Sequence, residues 1–276
     1  MNKKALLAGA IAVSSLIALS SCEYWWDYEF TEAKTFEDAY DLFKTFFAKT
    51  FEHTNMEVSI KRRKDFLEDA ETGKWAESES EEIEVILGDS SYRYNKDGSR
   101  EDWAFVDDGQ KIVATQKTIA LEDETTSKEQ TYRSGEASYQ GSYKGYIKEL
   151  NFFEAIASEA ASTGKTPEEV GGFDSVEWTG IQRHTDYNKG KREHWESYGC
   201  SLIAHDGEDD GLGDMVHSLG AVFYGDEGLV ESCDYAYDIH ENGKYIGWES
   251  LTFEFKYNCV DKIDLPDVSG WELKNQ

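Results

Sequence analysis

Basic side chains are scarce in this sequence: 28 lysines and arginines stand against 56 aspartates and glutamates in 276 residues, a formal charge of -28 at neutral pH. A surface of that sign repels phosphate backbones and anionic headgroups, which argues against nucleic acid as a partner and leaves membrane attachment to something other than a basic patch. Proline is nearly missing, with Pro167 and Pro266 the only two, so strands through the middle of the chain keep their ladder donors. Beyond the N-terminus there is no apolar run long enough to span a bilayer, and mean hydropathy is -0.65. Paired histidines at zinc-helix spacing, a nucleophile elbow, a phosphate-cradling glycine loop and a Ser/His/Asp set that pairing would unite are all wanting. The expectation is therefore a non-catalytic protein with no metal and no cofactor.

What is present begins with an export signal. Asn2-Lys3-Lys4 is a positive n-region, and Ala5 to Leu19 is an apolar stretch too short to be a spanning helix. Leu19-Ser20-Ser21-Cys22 resembles the bacterial lipobox, in which an aliphatic residue and two small ones precede a cysteine that receives a diacylglyceryl group. That implies a signal peptide over 1–21, lipid on Cys22 and a bilayer as partner. One acyl chain binds membranes only marginally, at ~0.8 kcal/mol per buried methylene, whereas a diacyl anchor is stable. Residues 22–34, acidic and aromatic, read as a tether, and 35–276 as one large domain. At this length, with 39% hydrophobic and 14% aromatic residues, the chain can bury a real core.

Inside the domain Thr35 can cap a helix whose Phe36, Ala39, Tyr40, Phe43, Phe46, Phe47 and Phe51 recur at three-and-four spacing. After His53 the pattern changes to alternation, first Met56, Val58 and Ile60, then Ile83, Val85 and Leu87, then Trp103 and Phe105. Turn pairs separate such runs at Asp97-Gly98, Asp108-Gly109, Lys189-Gly190, Gly225-Asp226 and Asn242-Gly243. A second helix is expected from about Gly145 to Ser162. Thr166-Pro167 with Glu169 then spells a capping box. Strands resume at Phe173 and end in Leu251, Phe253, Phe255, Tyr257 and Cys259. Pairing across Asn242-Gly243 sets Tyr237 opposite Trp248, and a β-bulge near Glu249-Ser250 would restore the apolar parity.

Cys200, Cys233 and Cys259 fall on apolar strand positions. Hairpin counting puts Cys200 and Cys233 about 10 Å apart, two strand spacings and beyond disulfide reach. Buried thiols, or one disulfide after a register slip, are both open. Asp206-Gly207-Glu208-Asp209-Asp210-Gly211 is partly calcium-like, but His217 occupies the twelfth place where a glutamate belongs. A solvated hairpin tip is the competing reading. His184, His194, His205 and His217 lie near hairpin ends, with His184 and His194 able to approach across one turn.

The order of these elements, a lipobox, a tether, an aromatic helix, a meander of hairpins, a mid-chain helix and an Ile263-Asp264-Leu265-Pro266 ending, resembles the LolA/LolB and LppX/LprG-like lipoproteins. The resemblance implies an α+β fold, a single large twisted antiparallel sheet forming an incompletely closed barrel, with an N-terminal amphipathic helix and a mid-chain helix packed on its concave side. It also implies a cell-envelope lipoprotein that binds or carries a lipophilic ligand in a sheet-helix cavity. Phe43, Phe47, Tyr235, Tyr237, Phe253 and Phe255 would line that cavity, or fill a core in its place. The alternatives are an acidic surface interaction or adhesion lipoprotein without a cavity, and an envelope enzyme.

Overall fold

The computed structural model describes residues 27–30, 35–69, 72–121, 125–134, 143, 152–187, 191–204, 214–224, 228–241 and 244–274. The expected signal peptide, Cys22, His205 and the Asp206 to Asp210 segment lie outside them.

The chain forms strands β1 (Asp27–Phe30), β2 (Asn55–Asp69), β3 (Lys74–Leu87), β4 (Ser90–Asn95), β5 (Arg100–Asp107), β6 (Gln110–Ala120) and β7 (Thr126–Ser134). After a helical insertion come β8 (Ser175–Tyr187), β9 (Lys191–Ala204), β10 (Asp214–Tyr224), β11 (Leu229–Glu241), β12 (Lys244–Tyr257) and the short β13 (Glu272–Leu273). Together they make one unclosed 13-stranded sheet in the order β1-β8-β9-β10-β11-β12-β2-β3-β4-β5-β6-β7-β13. Neighbours are antiparallel except β13, which runs parallel to β7. Helices are few, so the fold is sheet-dominated α+β. Among the described residues no helix is long and apolar enough to cross a membrane.

Local signals account for several joints. Asp107 pairs with Gln110, and Asp108 and Gly109 between them take φ 46 and φ 76. Two left-handed residues in a row are what a tight hairpin turn with the strands' own twist requires. The aromatic helix opens with Thr35, whose Oγ1 accepts the Asp38 amide at 3.1 Å. It does not run unbroken to Phe51. It divides at Phe47 into α1 (Phe36–Phe46) and α2 (Ala48–Glu52). Of the mid-chain helix the structure describes α3 (Phe152–Thr163). In α4 (Pro167–Gly171), Thr166 and Glu169 close both halves of the capping box around Pro167.

The expected bulge exists but sits nearer the turn. Ile239 faces Gly247 while His240 faces Tyr245, leaving Ile246 as the extra residue. Tyr237 is consequently opposite Glu249 rather than Trp248. Placing the bulge there gives β12 a single parity from Gly247 onward, which sends Leu251, Phe253 and Phe255 to one face and Trp248 to the other. Trp248 then meets the Arg63 guanidinium, 5.4 Å above its ring.

The sheet carries cores on both faces, and the change of face falls between β2 and β3. On the front face Val58 and Ile60 adjoin Phe255 and Phe253, which continue through Cys233 and Tyr235 to Leu219, Cys200 and Leu202. These residues form one buried cluster with Phe36, Phe47, Phe152 and Phe153 from the helices and their joint. Val58, however, pairs with Glu84, so Ile83 and Val85 of β3 point to the back. There Tyr92, Trp103, Ala114 and Tyr132 lie across four consecutive strands. The C-terminal segment covers them with Ile263, Val268 and Trp271, the last edge-on to Trp103 at 5.9 Å.

Candidate functional site

Four of the six residues expected to line a cavity come together on the front face. Tyr235 and Tyr237 are successive front-face positions of β11, opposite Leu251 and Glu249, and Phe253 and Phe255 continue the same face of β12. Phe253 is fully buried, and Tyr235 and Phe255 are nearly so. Phe47 belongs to the same cluster and stacks on Phe51 with centroids 5.8 Å apart. Phe43 lies within α1, and its side chain is outside the described residues.

Rings from the helices meet these residues directly. Phe152 of α3 lies 6.0 Å from Tyr235 and stacks on His217 at 4.7 Å. Phe153 approaches Phe36 of α1 at 5.3 Å, and the Tyr40 hydroxyl donates to Glu154, tying α1 to α3. Tyr143 stands edge-on to Phe255 at 5.7 Å. Several polar groups in this layer are paired, although the buried Nε2 of His53, beside Tyr257, has no hydrogen-bond partner among the described residues. His217 Nδ1 shares a 2.8 Å hydrogen bond with the Tyr235 hydroxyl, and the Tyr237 hydroxyl donates to Glu249 at 3.0 Å. Burial holds the His217 imidazole below its ordinary value and pushes the Tyr235 phenol up, so both are neutral at pH 7.

Several residues of this region carry no local sequence signal. Thr50, fully buried, anchors α2 to the sheet: its Oγ1 accepts the Val230 amide at 3.1 Å, and its carbonyl accepts the Tyr143 hydroxyl at 3.2 Å. Next to it a polar row crosses the front face where the apolar core stops. Glu84, Arg93, Asp102 and Thr115 are successive cross-strand partners from β3 to β6. Glu84 accepts the Tyr143 amide at 2.6 Å. Arg93 reaches Glu82 at 3.4 Å and Asp102 at 3.5 Å. Asp102 also takes two bonds from Arg100, at 2.7 and 3.0 Å, and one from Thr115 at 2.6 Å. Arg93 thus stands between the Glu84 and Asp102 carboxylates, all three are buried, and the arrangement is an ion chain that ties strands together.

The cysteines and histidines are now placed. Cys200 pairs with Leu219, and Cys233 with Ala221, so β10 separates the two thiols as counted. Both are buried and free, and burial pushes Cys200 up to about 12. Cys259 corrects the sequence reading. β12 ends at Tyr257, Asn258 turns left-handed at φ 54, and Cys259 is exposed rather than inward-facing. His184 and His194 are direct cross-strand partners. Among the described residues no three His, Cys, Asp or Glu side chains gather where a metal could sit.

No protein-family model and no curated protein matches the chain. Among solved structures, the chain is similar to the di-domain ARO/CYC StfQ from the steffimycin biosynthetic pathway. Identity is 9%, covering 84% of this chain and 85% of that one, with a TM-score of 0.16. A likeness at that level carries no argument about fold or activity.

Proposed function

We propose that the chain is an exported lipoprotein, held on a bacterial membrane by lipid on Cys22, whose domain binds or carries a lipophilic ligand without catalysis. In this reading the open sheet is an incompletely closed barrel, and α1 and α3 pack on its concave side. The supporting observation is the make-up of the helix-sheet layer, in which α1 meets α3, and α3 meets the sheet, through rings: Phe36 on Phe153, and Phe152 on Tyr235 and His217. Ring contacts are non-directional, so an acyl chain can take the place of one without leaving a hydrogen bond unmade. Each methylene so buried is worth about 0.8 kcal/mol. α2, pinned through Thr50, would stay fixed while α1 and α3, joined by Tyr40 and Glu154, move as a pair. Lipid extraction from protein purified without detergent tests the reading.

A second reading, an acidic interaction lipoprotein with no cavity, is favoured by Trp75. This residue is 46% exposed at the far end of the β2-β3 hairpin, 6.2 Å from Tyr245, where an aromatic pair could contact a protein or glycan.

A further inference from the structure

In a chain with twice as many acids as bases, one cleft has the opposite sign. On the front face, at the Thr115 end of the Glu84 to Thr115 row, β5, β6 and β7 carry an open cleft of about 230 Å³ lined by Arg100, Lys117, Arg133 and Lys274. Thr115, Thr131 and Val113 form part of its wall, and among the described residues no carboxylate does. Register explains the gathering. Arg100 is directly opposite Lys117, Thr115 opposite Thr131, and Val113 opposite Arg133. The Lys274 amide donates to the Tyr132 carbonyl at 2.9 Å, which brings the fourth cation to the β7 edge.

Like charges placed directly across a ladder are unfavourable, yet Arg100 and Lys117 are so placed. Arg100 is braced from beneath by its paired bonds to Asp102, and Lys274 pairs with Glu272 at 2.9 Å. Lys117 and Arg133, both exposed, have no ion-pair partner among the described residues, although Glu129 is Lys117's register partner. Elsewhere Lys61, Arg63, Lys96 and Lys256 each hold a glutamate. Lys117 and Arg133, four register positions apart along the ladder, and the braced Arg100 and Lys274 thus put positive charge at both ends of one short stretch of this face, with Thr115 and Thr131 between them.

We propose that this cleft is a binding site for a phosphate monoester group. Its volume suits a small phosphorylated molecule or the phosphate of a lipid headgroup, and falls below the roughly 300–1,000 Å³ usual for drug-sized ligands. Binding would relieve the Arg100–Lys117 repulsion and make the local sign reversal useful. The site is separate from the helix-sheet layer, and its test does not depend on a ligand there.

The full chain in uncharged detergent micelles is titrated calorimetrically with inorganic phosphate at low salt. Saturable binding is expected, weakening by about tenfold or more in Lys117→Ala/Arg133→Ala, in which two charge-assisted contacts are lost, and also weakening in Lys274→Ala. If phosphatidic acid mixed into the micelles competes with phosphate, the source is a headgroup. If it does not, the ligand is a free phosphorylated molecule. Absence of saturable phosphate binding, or equal binding by both variants, overturns the proposal.

Discussion

Gly247 lies directly opposite Phe66, and a β-carbon on Gly247 would stand 2.1 Å from the carbonyl oxygen of Asp65 and 2.7 Å from the Phe66 α-carbon. No side chain can yield there, because the obstacle is backbone. The glycine also takes φ 152 beside the Ile246 bulge, so steric room and bulge geometry demand the same residue. Gly247→Ala is predicted to separate β12 from β2 locally and to destabilise the domain by about 3 kcal/mol, read as a lowered midpoint in urea unfolding.

The ion chain predicts an asymmetry. Asp102→Ala removes the carboxylate shared by Arg93, Arg100 and Thr115 and leaves the buried Arg93 with Glu82. Destabilisation of about 3 kcal/mol is expected, whereas Lys61→Ala, which breaks the exposed pair with Glu254, should cost under about 1 kcal/mol. Equal losses in the two variants would show that the Asp102 row does not behave as a buried network.

His217 predicts a pH dependence. Its folded value lies below the ordinary 6.5, because burial disfavours the imidazolium. Below pH 6.5 the unfolded chain therefore takes up a proton that the folded chain refuses, and stability falls as pH drops, by at most about 1.4 kcal/mol per unit. Asp234 acts with the opposite sign over a window that starts at its ordinary 3.8 and runs upward, since desolvation raises its carboxyl. The window just below 6.5 is accordingly the place to look. His217→Gln should flatten the decline there in unfolding curves taken at a series of pH values.

Much of the sheet was legible in sequence, and the errors share one cause. Alternation located the strands, and the Asp108-Gly109 pair located a turn, because both depend on local chemistry. Alternation does not say which face a run occupies. Ile83 and Val85 look continuous with Met56, Val58 and Ile60, yet the β2-β3 register sets Val58 against Glu84 and turns the later run to the back. Nothing local in the sequence marks Glu84, Arg93 and Asp102 as buried, yet they are. Tyr143 and Thr50 escape notice for a similar reason, since their roles come from partners 93 and 180 residues away. The bulge was deduced from a real parity conflict, but only the pairing of Ile239 with Gly247 fixes it at Ile246.

The cysteines offer a simple check on the register. With Cys200 and Cys233 buried on either side of β10 and Cys259 exposed, Cys259 alone among them should be alkylated in the native protein. The other two should follow after denaturation, and mass spectrometry of the peptides reads the order. Early labelling of Cys233 would contradict the front-face packing.

The most direct test combines the anchor with the ligand. Replacing Cys22 with alanine should release the protein from the membrane without detergent, and the released protein, extracted with organic solvent, should yield lipid near one mole per mole of protein by mass spectrometry. A Cys22→Ala protein that is soluble and folded but carries no extractable lipid would contradict the carrier reading, and one that is cleaved normally before residue 22 and still stays on the membrane would contradict the anchor.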